Sequence, residues 1–361
     1  MQFQEVDFAG LHCVRLSNGI IELIASVQVG PRILRLGFVG DETNLMHLES
    51  PTLTAQQDGK WHPYGGHRLW HAPEEFPRTY FPDNHPVEHT FDGTTLVLRP
   101  PPEPENGVQK EIRITMHPGA AQVDVLHHIT NISRWPIPLA PWSLTVCRAG
   151  GACIIPQEPY KPHPEALLPV RPQAMWAYTN MQDPRWTWGE HFIVMRQDRS
   201  PAKYQQKIGF GNTLVRPLRG WQWPPALLRG CHWAGSLLLH VYDACVVGGV
   251  GQGWAAYALD SVVFIKRFAH RAGATYPDYG CNCEFYTDPH ILEVETLGPL
   301  GPVQPQQTVA HTEHWSLHRQ AAGAPLSRML AMPAEGRPAP VDEAQVQALL
   351  APMLAETRPV A

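Results

Sequence analysis

Charge is scarce in this sequence. Asp, Glu, Lys and Arg make up 17% of its 361 residues, well under the quarter common in globular chains. The 28 basic and 33 acidic residues leave a formal net charge of -5, and no basic run stands out, which excludes the electrostatic footprint of a nucleic-acid binder. Long apolar runs are missing as well. Even the apolar stretch 234–250 is too short and too mixed to span a bilayer, which takes about 20 residues as a helix, so no membrane partner is expected. The opening MQFQEVDFAGLHCV has no basic segment leading into an apolar one, so no secretory signal is read. The seven cysteines (Cys13, Cys147, Cys153, Cys231, Cys245, Cys281 and Cys283) are odd in number and scattered. A disulfide framework is thereby excluded, and buried thiols in a reducing, cytoplasmic compartment are expected. Cys281-x-Cys283 has no second pair nearby to complete a zinc site, and no metal or cofactor is expected. No internal repeat occurs.

What the chain has in quantity is 37 Pro, 29 Gly and 12 Trp, a composition of turns, irregular loops and aromatic surfaces. Hydrophobic content of 43% is enough for a sizeable core. Short alternating runs at close spacing predict an all-β, antiparallel architecture. Ser17-Asn18-Gly19-Ile20 is a hairpin signal, Ile33 to Phe38 alternates, and Val108 to Met116 places Ile112, Ile114 and Met116 on one face. In the run Val123 to Asn131, His127 and His128 must face opposite sides, so they cannot act as a pair. Residues 1–317 are read as one β domain carrying an insertion at 213–252. Residues 318–361 form a Pro- and Ala-rich tail with one short helix, because Val346, Leu349, Leu350, Met353 and Leu354 keep helical spacing after Pro340 and Asp342. Pro352 interrupts that pattern.

Residues Tyr276 to Leu317 carry the clearest chemical signal. Asn282, Glu284 and Tyr286 share one face of an alternating run. Asp288-Pro289-His290 marks a turn, and Glu293 and Glu295 alternate in the run beyond it. With Thr287 opposite His290, Glu284 falls across from Glu293 and Asn282 from Glu295; any register of the same parity keeps these acids together. Like charges held opposite each other need a cation, a shared proton or a hydroxyl-rich ligand, and such pairs separate in pKa. The plain alternative is a solvated sheet face bearing a few glutamates. Lys266, on the face of Phe264 and Phe268, is the expected cation, or else a strand-end lysine in solvent.

Residues 51 to 91 lack periodicity and are read as a long functional loop centred on Trp61 to Glu74. There Gly65 and Gly66 permit unusual backbone geometry, and His67, Arg68 and His71 stand among Trp61 and Trp70. A metal pair at His67 and His71 would need a helix, which the glycines and Pro73 oppose.

The motifs GGHRLWHAPE (65–74), YTNMQDPRW (178–186), KIGFGN (207–212), GWAAY (253–257), FIKRF (264–268), YPDYGCNCEFYT (276–287) and LEVETLGPL (292–300) resemble the galactose mutarotase-like superfamily. They are most similar to its DUF4380 branch. The resemblance covers about residues 5 to 317 outside the insertion. It implies a β-supersandwich of two large antiparallel sheets with long loops, a sugar cleft on one face, and an isomerase of aldose 1-epimerase type. Glu284 is similar to that family's general base. The family's acidic histidine falls where this chain has Pro141-Trp142, so His67 or His71 must substitute, or sugar is bound without turnover. On this reading Glu293 tunes Glu284, Arg68 or Lys266 balances charge, and Trp70 and Trp142 present flat faces to a sugar. Asn282 and Tyr286 complete the polar surface. The expected partner is a sugar or oligosaccharide; a binding module and a glycosidase or lyase with paired glutamates remain the rival classes.

Overall fold

The computed structural model describes residues 1–158, 160–165, 167–198, 205–211, 250–320, 326–333 and 338–355. Its strands, in chain order, are β1 (Gln2–Phe8), β2 (Leu11–Ser17), β3 (Ile21–Ser26), β4 (Arg32–Phe38), β5 (His67–Ala72), β6 (Glu88–Phe91), β7 (Thr95–Arg99), β8 (Val108–Met116), β9 (Gln122–Asn131) and β10 (Ile137–Arg148). They continue with β11 (Ala152–Pro156), β12 (Gln173–Met175), β13 (Trp186–Trp188), β14 (Phe192–Arg196), β15 (Gln206–Phe210), β16 (Val250–Leu259), β17 (Val262–Arg271), β18 (Cys283–Thr287), β19 (Ile291–Leu297), β20 (Gly301–Val303) and β21 (Thr308–Arg319). Two helices follow, α1 (Leu326–Met329) and α2 (Glu343–Ala355).

The strands form two antiparallel sheets. The first runs β1-β2-β3-β4-β5-β10-β19-β18-β15-β12, with β20 also on β10; the second runs β13-β14-β11-β16-β17-β21-β9-β8-β7-β6. Period-two alternation sorts each strand's side chains to opposite sides, and the inward rows of both sheets meet in one core. From the first sheet come Leu69, Cys147, Phe285, Leu292 and Val294; from the second, Ile112, Val125, Phe264, Phe268 and Trp315. The all-β sandwich expected from sequence is therefore the structure.

Two corrections bear on function. The first concerns the long loop, which is not continuous: His67–Ala72 is strand β5, seated between β4 and β10. Gly65 and Gly66 turn the chain into it at φ 89° and 73°. A Cβ there would lie 2.3 Å from the His47 carbonyl oxygen and 2.4 Å from that of Ile33, so only glycine fits. The second concerns the register of the β18–β19 hairpin, which is shifted by two: Glu284 opposes Glu295, and Tyr286 opposes Glu293. The cause is the turn. The Asp288 carboxylate accepts hydrogen bonds from the backbone N–H of His290 at 2.7 Å and Ile291 at 3.0 Å, closing a longer loop with Thr287 opposite Leu292. The tail carries the short helix expected there. Helix α2 starts at Asp342, whose carboxylate accepts the Gln345 N–H at 3.0 Å, and buries Val346, Leu350 and Met353 against the outer face of the second sheet. Of the insertion expected at 213–252, residues 250–252 belong to β16 and the rest lie outside the described residues.

The five described cysteines, Cys13, Cys147, Cys153, Cys281 and Cys283, are buried and unbridged. Among the described residues no helix is long and apolar enough to cross a membrane.

Candidate functional site: a cleft on the outer face of the first sheet

The outer side of the first sheet collects most of the polar residues that the sequence singled out. Register places Arg68 beside Leu144, Leu144 beside Glu295, Glu295 beside Glu284 and Glu284 beside Gly209. One row along, Trp70 stands beside Trp142 and Trp142 beside Leu297. In a third row Val146, Glu293, Tyr286 and Lys207 are neighbours in turn. These rows floor a cleft of about 340 Å³, walled by Trp61, Tyr80 and Tyr178 and edged by His47 and Glu74.

Two cations hold this floor together, each seated on aromatic rings. The Arg68 guanidinium donates to Glu293 at 3.1 Å and lies 4.3 Å from the Trp70 ring centre. Lys207 bridges two acids at once, its Nζ 3.0 Å from a Glu284 oxygen and 3.0 Å from a Glu295 oxygen. The same ammonium sits 4.7 Å from the Trp142 ring and 4.9 Å from Trp176. Trp142 further donates its indole N–H to Glu295 at 2.9 Å.

One ammonium therefore serves two wholly buried carboxyl groups. Burial pushes Glu284 well above the ordinary glutamate range, and Glu295 and Asp278 add to the rise against the pull of Lys207. Burial raises Glu295 too, while Lys207 and the Trp142 indole favour its ionised form. For Lys207, burial opposes the charge, but Glu295 and Glu284 outweigh it and hold the ammonium well above the usual lysine value. Both acids therefore favour their protonated forms, against the pull of the one ammonium between them. Asp278 reaches Glu284 from a turn whose Asp278 and Tyr279 adopt φ of 51° and 63°.

Of the residues predicted from sequence, Arg68, Trp70, Trp142, Tyr286 and Glu293 line the cleft. Glu284 and Asn282 lie on the same face of their segment but are fully buried beneath it. His67, His71 and Lys266 are elsewhere. In strand β5 His67 and His71 alternate with Arg68 and Trp70, so they point into the sandwich and cannot protonate a ligand in the cleft. Lys266 is the cation of a different acid: its Nζ lies 3.0 Å from Glu313 and donates to the Val294 carbonyl at 2.9 Å.

Between the sheets these residues build a closed polar cluster. His67 Nε2 meets His127 Nε2 at 2.8 Å, and His67 Nδ1 meets the Thr145 hydroxyl at 2.8 Å. His127 Nδ1 lies 3.0 Å from the His311 carbonyl, which can only accept, so His127 carries its proton there. His67 must then donate from Nε2 and accept from Thr145. Glu313 accepts from Ser143 at 2.5 Å, from the Trp315 indole at 2.8 Å and from Thr296. Burial works against its ionisation, but Lys266 and the histidines bring it well below the ordinary value. Burial lowers His67 well below the usual histidine range and takes His311 to about 3. It takes His71 to about 2, with Lys110 and Arg78 adding to the effect. One donor atom each from His67, His127 and Glu313 lie within 4.8 Å of one another. A cation seated there would compete with the Lys266 ammonium already paired to Glu313.

Reading the sequence missed Lys207, His47, Tyr80, Tyr178 and the importance of Glu295. Lys207 had a signal: KIGFGN alternates, which puts Lys207 and Gly209 on one face beside an acidic hairpin. His47 had none, because the Gly65-Gly66 turn brings it to the rim through the bridge between Leu48 and Gly65.

Comparison with solved structures settles the architecture. A provisionally assigned aldose 1-epimerase from Klebsiella pneumoniae superposes with a TM-score of 0.50 over 86% of this chain and 80% of its own, at 10% identity. The fold is that of the galactose mutarotase-like proteins. A galactose mutarotase-like protein from Clostridium acetobutylicum also matches, with a TM-score of 0.47 over 89% of this chain and 99% of its own, at 9% identity. No protein-family model and no curated protein sequence matches the chain, so the resemblance to the DUF4380 branch rests on its motifs.

Proposed function

We propose that the protein binds carbohydrate in the cleft on the outer face of the first sheet. The observation that carries this reading is aromatic surface and fixed polar groups gathered around one opening, with Trp61, Tyr80 and Tyr178 as its walls. Trp70 and Trp142 meet edge to face at its floor, ring centres 5.4 Å apart, next to the Arg68–Glu293 pair and Tyr286. A sugar ring offers apolar C–H surfaces and a rim of hydroxyls, and this floor matches both. The mutarotase-like fold supports the same class of ligand.

A second reading, anomer exchange, is favoured by one observation: among described residues lining the cleft, His47 is the only histidine, and it shares the cleft with Glu293. Burial lowers His47 below the ordinary histidine value, against the pull of Glu49. In this scheme Glu293 accepts the proton of the anomeric hydroxyl and His47 serves the ring oxygen. Glu284 does not fill the base role directly, because it is sealed under Lys207. Calorimetric titration with aldoses, alongside exchange rates from magnetisation-transfer NMR, tests both readings. Binding reduced at least tenfold by Trp142→Ala supports the first. Exchange slowed about 10²-fold or more by both Glu293→Gln and His47→Ala supports the second; binding with wild-type exchange at the uncatalysed rate leaves the protein a binding module.

A further inference from the structure

A second cavity of about 880 Å³ adjoins the cleft, more than twice its volume. The two are neighbours in the strict sense that Trp61, Trp70 and Tyr80 line both. These three rings pack edge to face, with Trp61 5.4 Å from Trp70, Trp61 5.5 Å from Tyr80 and Trp70 5.0 Å from Tyr80. They form a common wall with one side toward Arg68 and Glu293 and the other toward the larger space.

The chemistry of the larger cavity is mixed in the same manner as that of the cleft. Phe76 and Phe81 join Trp61 and Tyr80 as apolar surface. Phe76 is 80% exposed, an aromatic ring left facing solvent at the cavity. Against it stands Arg32, only 2% exposed, which pairs with Asp83 through Nη1 while its Nε and Nη2 have no hydrogen-bond partner among the described residues. Asp83 Oδ1 and the Trp61 indole N–H are likewise without partners among the described residues. Buried donors and an acceptor left open beside aromatic faces point to a ligand that brings both hydroxyls and C–H surface.

We propose that this cavity is a second carbohydrate subsite, so that the ligand is an oligosaccharide whose terminal ring sits in the cleft and whose next rings pass the Trp61–Tyr80 wall. The inference rests on the carbohydrate reading of the cleft and adds a chain length to it. A monosaccharide fills the smaller space alone and leaves the open Arg32 and Asp83 groups unmet. Each further ring adds aromatic contact at Phe76 and Phe81 and hydrogen bonds at Arg32 and Asp83.

The test is calorimetric titration of the full-length protein with glucose and galactose against the cello-, malto- and β-galacto-oligosaccharides of two to four units. Phe76→Ala is the diagnostic variant, because Phe76 lines only the larger cavity and its exposure makes the fold indifferent to its loss. At least one series should bind about tenfold or more tighter as di- or trisaccharide than as monosaccharide. Phe76→Ala should reduce that gain by about three- to tenfold and leave monosaccharide affinity unchanged. Transferred saturation from protein aromatic protons should reach the second and third rings as well as the terminal one. Equal affinity for every chain length, or a Phe76→Ala protein with the full gain, overturns the second subsite while the cleft reading stands. Failure of every saccharide to bind overturns both.

Discussion

Lys266 and Lys207 are each buried beside glutamates on opposite sides of the first sheet, and the two assemblies are finished to different degrees. Between the sheets Lys266 faces one carboxylate, Glu313, which also accepts from two hydroxyls and an indole. Under the cleft Lys207 faces two carboxyl groups, and among the described residues Glu284 has that ammonium and the Asp278 carboxyl group as its polar neighbours rather than a set of hydroxyl and indole donors. The same residue types, equally buried, consequently titrate in opposite directions: Glu313 is driven well below the ordinary range and Glu284 well above it. A buried acid surrounded by donors is a structural element. A buried acid that lacks them is pushed toward its protonated form, and here it lies directly beneath a ligand-sized opening.

The comparison breaks most readily at Glu313. Glu313→Gln strands Lys266 in a dry core, and a loss of about 3–5 kcal/mol is expected in chemical denaturation at pH 7.5. Lys207→Met should cost about 3 kcal/mol at the same pH, because it leaves two acids without a cation. Its deficit should shrink at pH 5, where both acids can take up protons; a deficit unchanged between the two pH values would show that the assembly does not hold excess acid. Acid should also distinguish the assemblies in the wild type. His67, His71, His127 and His311 are lowered by burial, so their contribution is complete above the unfolded value near 6.5 and is lost as pH falls below it. Glu284 and Glu295 have the opposite sign: their raised values favour folding at low pH, and that contribution is lost as pH rises above about 4.5. With four histidines set against two acids the histidines prevail, and the melting point should drop as pH falls from 6 to 5. The smallest effect belongs to Glu284→Gln. Glutamine mimics the protonated acid, so stability within about 1 kcal/mol of wild type is expected at pH 7.5, and a loss near that of Glu313→Gln would make Glu284 an ordinary ion-pair partner.

Much of the sandwich could be read from alternation and turn residues, since period two and Asn-Gly or Asp-Pro signals are local. The acidic hairpin was legible in parity but not in register, because an Asp side chain closing the turn shifts pairing by two without changing which residues share a face. Strand β5 was hidden by its composition. His, Arg and Trp flanked by Gly-Gly and Pro read as loop, and only the burial of all six residues between β4 and β10 makes them a strand. That mistake carried the histidines to the wrong side: placed in a loop, His67 was free to face a ligand; placed in a strand next to Arg68, it was not. For Lys266 the sequence left an inward cation and a solvent-facing strand end both open; the structure has it inward, and its acid comes from β21, about fifty residues on, a partner that no local pattern reports.

Strand β10 belongs to both assemblies. Trp142 grips Glu295 on one side and Ser143, the next residue, grips Glu313 on the other. An added or deleted residue anywhere between Ile137 and Trp142 would exchange them, sending an indole toward the histidine cluster and a hydroxyl out to the opening. Substitutions along this strand can be absorbed one at a time. A change in its length cannot, so any natural insertion is expected to fall outside it.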